Sequence, residues 1–136
     1  TISKLFFFNG SGIQLYGSGK IILGDNSYIG NYSTIQSDID CFVEIGKGCM
    51  ISHNVRIYTS SAIVDQDFSK KPLKEKFGNV IIGNNVWIGA NVFINPGVII
   101  GENSIIGANS VITKDIPSYS VFAGVPAKII KEKSIS

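Results

Sequence analysis

Scarcities bound this chain before any pattern does. Among 136 residues there is one histidine, too few for the three-imidazole set that often holds a catalytic zinc. Two cysteines cannot build a disulfide framework. A net charge of +2 leaves no electrostatic footprint for nucleic acid, so no nucleic-acid partner is expected. The longest aromatic-rich apolar patch, Leu5 to Phe8, falls far short of the roughly 20 residues a membrane helix needs, and no stretch resembles a secretion signal. A cytoplasmic, single-domain protein without a transmembrane segment is the expectation. The chain starts at Thr1 without a methionine, which fits a trimmed terminus or a piece of something longer.

What is present is a six-residue beat. Ile82, Ile88, Ile94, Ile100, Ile106 and Ile112 follow one another without a slip, most of them followed by Gly. Period six suits neither an amphipathic helix nor a hairpin. Four residues after each stands a second small or branched residue: Val86, Val92, Val98, Ser104, Ser110 and Ile116. Two residues per hexad therefore point inward, and stacked units of this kind make a parallel β-helix. Leu23, Ile29 and Ile35 open one earlier run, and Ile39, Ile45, Ile51 and Ile57 another after a four-residue slip. Three hexads give a coil of about eighteen residues, with coils stacked roughly 4.8 Å apart. Cys49 falls on an inward position and reads as a small core residue.

The two ends of such a solenoid need caps. Leu5 to Phe8 suit an apolar lid on the first coil, and the stretch from Val125 to Lys131 within a cap of about 121–136 suits a short closing helix with Pro126 in its first turn. One internal segment breaks the rhythm. From Ile63 to Asn79 polar and charged residues replace the hexads, which reads as a loop extruded from the coil, and loops of this length usually carry function. The plainer reading is an insertion tolerated at a coil corner.

The stretches Cys49–Ser52, Arg56–Ser61 and Ile82–Ala90 on either side of that loop resemble the hexapeptide-repeat acyltransferases of the maltose, galactoside and polysaccharide acetyltransferase type, with sugar N-acetyltransferases also close. The likeness continues through Ile94–Val98, Ile106–Pro117 and Ala123–Lys128, and covers roughly residues 20 to 131. It implies an all-β fold, a left-handed parallel β-helix, and acetyl transfer from acetyl-CoA to a hydroxyl or amine of a sugar or nucleotide-linked sugar. It also implies a homotrimer with sites between subunits, and a place in surface-polysaccharide synthesis. Carried over by position, Trp87 would border the cofactor, the backbone near Gly89 and Ala90 would meet its thioester, Ala108 the pantetheine amides, and Lys114 and Lys128 the phosphates and adenine. Small residues permit close approach and lysine supplies a point charge for phosphate. Solvated charge is the plain reading of both lysines, and Trp87 could equally be a trimer contact or a core aromatic.

A hydroxyl attacking a thioester must lose its proton, for which histidine is suited near neutral pH. At the position where the family carries that histidine this chain has Ala62. Three explanations compete: an engineered replacement, a naturally inactive protein, or a base supplied by His53 with Asn54 beside it. The family pattern retained around Ala62 favours the first, and His53, at a turn after Ile51, is expected to face outward. Asn31 resembles an asparagine that relatives use near the acceptor and developing oxyanion, its plain reading being a corner residue in a left-handed turn. In the loop, Asp65, Asp67 and Phe68 are candidates for contacting an acceptor sugar by hydrogen bonding and ring stacking.

Two other functions are known on this fold type. A zinc-dependent carbonic anhydrase would need histidines that this chain lacks, and no metal is expected. A non-catalytic trimeric scaffold or regulatory domain accounts for Ala62 but not for the cofactor-groove segments.

Overall fold

A computed structural model describes residues 1–135. Every regular element among them is a strand, and the strands stack into three sheets of seven, five and four members. The expected left-handed parallel β-helix is the architecture found. The beat builds it directly: Ile82 pairs with Ile100, Ile88 with Ile106 and Ile94 with Ile112, each one coil further along. The strands containing Ile88, Ile94 and Ile100 define what we call the first, second and third faces of the prism.

Every beat residue but Ile39 points inward, and from Ile29 through Ile112 those isoleucines are almost fully buried. Each contributes about 1.5–3 kcal/mol by burial. The second inward position is buried too, at Cys49, Val55, Val86, Val92, Val98, Ser104 and Ser110. A serine there survives because its hydroxyl is satisfied locally, as Ser110 Oγ donates to Gly107 O at 2.7 Å. Burial pushes the Cys49 thiol up, and its Sγ lies 3.1 Å from Gly83 O. At the corners Asn85, Asn91, Asn103 and Asn109 adopt φ between 55° and 64°, the left-handed conformation that asparagine tolerates better than branched residues.

Four expectations change. Ile39 does not open a hexad: it is 62% exposed at the tip of a protrusion, and the coil resumes with Val43 and Ile45 inward. At the N-terminus only Phe6 enters the core, while Phe7–Asn9 pair in parallel with Tyr28–Gly30 as a first rung instead of a lid. The closing helix is absent. Ser120–Gly124 and Ala127–Glu132 form an antiparallel hairpin, because Pro126 falls in its turn and Ile129 and Ile130 are β-branched strand formers. Ser136, at the end of the expected cap, lies outside the described residues.

The extruded segment also has structure. Its stem is a two-stranded ribbon, with Ser60 opposite Phe77, Ser61 opposite Lys76 and Ala62 opposite Glu75. The nearly buried Gln36 anchors its root. Oε1 accepts from the Thr59 N–H at 3.0 Å and from the Thr59 hydroxyl at 3.1 Å, while Nε2 donates to Ser60 Oγ at 3.1 Å. Asp38 N–H donates to Thr59 Oγ1 at 2.8 Å, and Phe42 N–H to Asn79 Oδ1 at 2.9 Å. The protrusion around Ile39 and the ribbon thus brace each other.

Candidate active site

The corner between the first and second faces stacks one residue type on the next. Asn54 N–H donates to Asn31 O at 2.7 Å, Asn91 N–H to His53 O at 3.0 Å and Asn109 N–H to Ala90 O at 2.9 Å. Asn31, His53, Ala90 and Ala108 therefore occupy consecutive rungs of one edge. Side-chain amides lock it, with Asn54 Nδ2 donating to Asn91 Oδ1 at 2.9 Å and Asn91 Nδ2 to Asn109 Oδ1 at 3.1 Å. Gly89 belongs to the same corner, and a Cβ there would lie 2.7 Å from Ala108 N. The missing side chain at Gly89 makes room for the next coil, and Ala90 and Ala108 carry only methyl groups on their rungs.

His53 faces outward, as expected, and is exposed. Its Nδ1 accepts a hydrogen bond from Asn31 N–H at 2.7 Å. The neutral ring consequently carries its proton on Nε2 and presents a donor to solvent. Asn31 is not the left-handed residue of its corner, since Tyr32 is, at φ 58°. Its Oδ1 accepts from Ser11 N–H at 2.6 Å, which ties up the oxygen and leaves the Nδ2 donor.

Below Ala108 the next rung is Ala123–Gly124, held by Gly107 N–H donating to Phe122 O at 2.8 Å and Gly124 N–H to Ser110 Oγ at 3.0 Å. Beyond it opens a pocket of about 370 Å³ lined by Thr113, Lys114, Phe122, Pro126, Ala127, Lys128 and Ile129. The two lysines singled out in the sequence thus share one largely apolar pocket. The hairpin creates it, by carrying Lys128 back along Ala123.

Ala62 is not on this edge. It lies in the ribbon, which leaves the prism at the corner between the second and third faces. Trp87 is half exposed on the first face, in an outward column that runs Phe7, Tyr28, Met50, Trp87, Ile105 and Val121. It is therefore not a core aromatic. At the ribbon tip Asp65 and Asp67 line a pocket of about 250 Å³ with Lys70 and Lys74, and Phe68 is half exposed. Hydrogen bonds from the Ser69 hydroxyl (2.7 Å) and N–H (3.0 Å) hold the Asp67 carboxyl below its ordinary range, so it closes a local turn.

A fourth site escaped the sequence reading. At the ribbon root a pocket of about 270 Å³ is lined by Arg56, Tyr58, Ser60, Ser61, Lys76, Phe93, Asn95 and Pro96. Tyr58 and Phe93 stack with centroids 5.4 Å apart and an 18° interplanar angle. Desolvation and the neighbouring Tyr58 push the Tyr16 phenol up. The signal was available: Arg56 and Phe93 each stand one position before the beat, hence outward and in register.

Comparison with known proteins agrees with the hexad reading. A profile described as Bacterial transferase hexapeptide (six repeats) matches residues 79–114. A protein of Dictyostelium discoideum named as an acetyltransferase is 38% identical over 135 residues, covering 95% of this chain and 70% of its own length. The chain belongs to the hexapeptide-repeat acetyltransferase family. Among solved structures, a maltose O-acetyltransferase from Clostridium difficile 630 superposes with a TM-score of 0.63 at 36% identity, covering 97% of this chain and 72% of that one. A variant of AntD, an N-acyltransferase from Bacillus cereus in complex with dTDP and coenzyme A, gives 0.80 at 26% identity, covering 98% and 80%.

Proposed function

We propose that this chain is an acetyl-CoA-dependent acetyltransferase acting on a hydroxyl or amino group of a sugar, working as a homotrimer in the cytoplasm in surface-polysaccharide or nucleotide-sugar synthesis. The observation that carries this reading is the stacked edge from Ala90 to Ala108, continued by Ala123–Gly124 into the pocket of Lys114 and Lys128. From Ala90 to Ala123 is two coil steps, about 10 Å, a span an extended thioester arm can follow. The lysines neutralise phosphate charge at one end, and Phe122 and Pro126 offer an apolar wall for adenine. At the other end Gly89 and Ala90 receive the thioester, with Trp87 beside them on the first face.

In the reaction the acceptor oxygen or nitrogen attacks the thioester carbonyl, the C–S bond breaks, and the acceptor's proton must leave. His53 is set to donate from Nε2, given its Nδ1 bond to Asn31, and so does not serve as that base in its neutral form. Asn31 can offer Nδ2 to developing negative charge. The base belongs to the position of Ala62, where this chain has none. The ribbon and the Ala90 edge lie on different corners, so both act on one substrate when the ribbon of one subunit meets the edge of the next. The apolar column through Met50 and Trp87 supplies a face for that association. Asp65 and Phe68 at the ribbon tip would then reach an acceptor, and Asp67 would hold their turn.

The substitution Ala62→His should raise turnover on an accepted sugar by about a hundredfold or more. Unchanged turnover with a confirmed acceptor would remove Ala62 from the reaction. The lack of any titratable group at Ala62 also favours a second reading, a trimeric scaffold, under which acetyl-CoA would not bind.

A further inference from the structure

We propose that the pocket at the ribbon root binds a phosphate group attached to the acceptor, so that the acceptor is a phosphorylated or nucleotide-linked sugar and not a free one. The proposal rests on the acetyltransferase reading for the role of acceptor, but its site is independent of the cofactor pocket. Two cations enter the pocket from separate elements, Arg56 from the second face and Lys76 from the ribbon. Arg56 donates to Asn54 Oδ1 at 3.1 Å, a neutral partner that fixes the guanidinium without cancelling its charge. No carboxylate lines the pocket. Glu75 neighbours Lys76 in its strand, but adjacent strand residues point to opposite sides.

The uncharged groups agree with the cations. Ser60 Oγ accepts from Gln36 Nε2, which leaves its O–H to donate to a ligand. The stacked Tyr58 and Phe93 form an aromatic wall beside Arg56, suited to the face of a sugar ring or a base. Two cations, a free hydroxyl donor and an aromatic wall match a phosphate joined to a ring. A neutral disaccharide would use the wall and leave both cations without a counter-charge. A volume of about 270 Å³ takes one ring with its phosphate, not a long chain. Position gives the pocket its purpose. Ser60 and Ser61 immediately precede Ala62, and Lys76 pairs with Ser61, so a phosphate held here tethers the attached sugar next to the position of the missing base.

The test is calorimetric titration of the intact protein, first saturated with coenzyme A so that the cofactor pocket is filled, using UDP, glucose 1-phosphate and maltose. We expect saturable binding of the phosphorylated ligands, at least tenfold tighter than maltose and weakened by added salt. UDP binding tighter than glucose 1-phosphate identifies a nucleotide-linked acceptor, and equal binding identifies a sugar phosphate. Arg56→Gln and Lys76→Gln should each weaken binding about tenfold while coenzyme A affinity is unchanged. Lys76 is exposed on the ribbon, so its variant remains informative if Arg56→Gln disturbs folding. Coenzyme A binding with no binding of either phosphorylated ligand, or with binding indifferent to both substitutions, overturns the phosphate site and leaves the acetyltransferase reading standing. Failure of coenzyme A itself to bind counts against that reading, whereas UDP binding that still depends on Arg56 would keep the phosphate site.

Discussion

Between Ile82 and Ile112 sequence and core keep the same step, coil upon coil, while between Ile57 and Ile82 they part company and the chain leaves the prism as a ribbon. The regular coils are held by apolar burial: their inward positions are isoleucine, valine and small serines with locally satisfied hydroxyls. The ribbon root is held by polar bonds, above all those of Gln36 to Thr59 and Ser60. Burial fixes geometry without supplying chemistry. The polar root therefore brings together what no single coil strand holds: the Arg56 and Lys76 cations, a Ser60 hydroxyl left to donate, and the Ala62 position. A solenoid can host such an interruption because each coil contacts chiefly its neighbours, so the insertion disturbs only the rungs beside it.

Substitutions can break this contrast from either side. Ile88→Ala removes a fully buried rung and should cost about 2–5 kcal/mol, whereas Phe68→Ala at the exposed ribbon tip should change stability by less than about 0.5 kcal/mol; chemical denaturation measures both. Equal costs would mean the ribbon shares the core. Gly89→Ala drives a methyl toward the backbone of Ala108, where neither partner can rotate away, and should cost about 1–3 kcal/mol by the same method. Gln36→Ala strips the Thr59 N–H of its buried acceptor and should also cost about 1–3 kcal/mol, with proteolysis accelerated between residues 63 and 74. Proteolysis unchanged in that variant would show that the ribbon holds itself. The smallest effect concerns pH. Bonds from Ser69 lower the Asp67 carboxyl, so the turn they form is stabilised above the ordinary carboxylate range and lost as pH falls through the lowered value. The Ser69 amide resonance should follow that titration, and an amide indifferent to acid would contradict it.

The coils are legible in the sequence and their interruptions are not, for a physical reason. A beat of isoleucines reports which residues face inward, and every such position from Ile82 to Ile116 is buried. Ile39 matched the beat yet lies exposed, because periodicity cannot tell a rung from an apolar residue on a protrusion that other polar bonds support. The C-terminal cap differs from the expected helix because Pro126 suits a helix start and a turn alike, and only pairing with Ser120–Gly124 selects the hairpin. Asn31, His53, Ala90 and Ala108 came to one edge because hexad spacing stacks them. The Nδ1 bond that sets the proton of His53 was not legible, nor was the half of the Arg56 pocket that the ribbon supplies, although the outward places of Arg56 and Phe93 follow from the beat.

The central claim, a cofactor lying along the edge from Ala90 to Lys128, is tested most directly by calorimetric titration with acetyl-CoA of this chain and of its Lys114→Glu and Lys128→Glu variants. The account predicts saturable binding near one equivalent per subunit despite Ala62, weakened at least tenfold by either charge reversal. Absence of binding by the folded protein, or affinity untouched by both reversals, would contradict it.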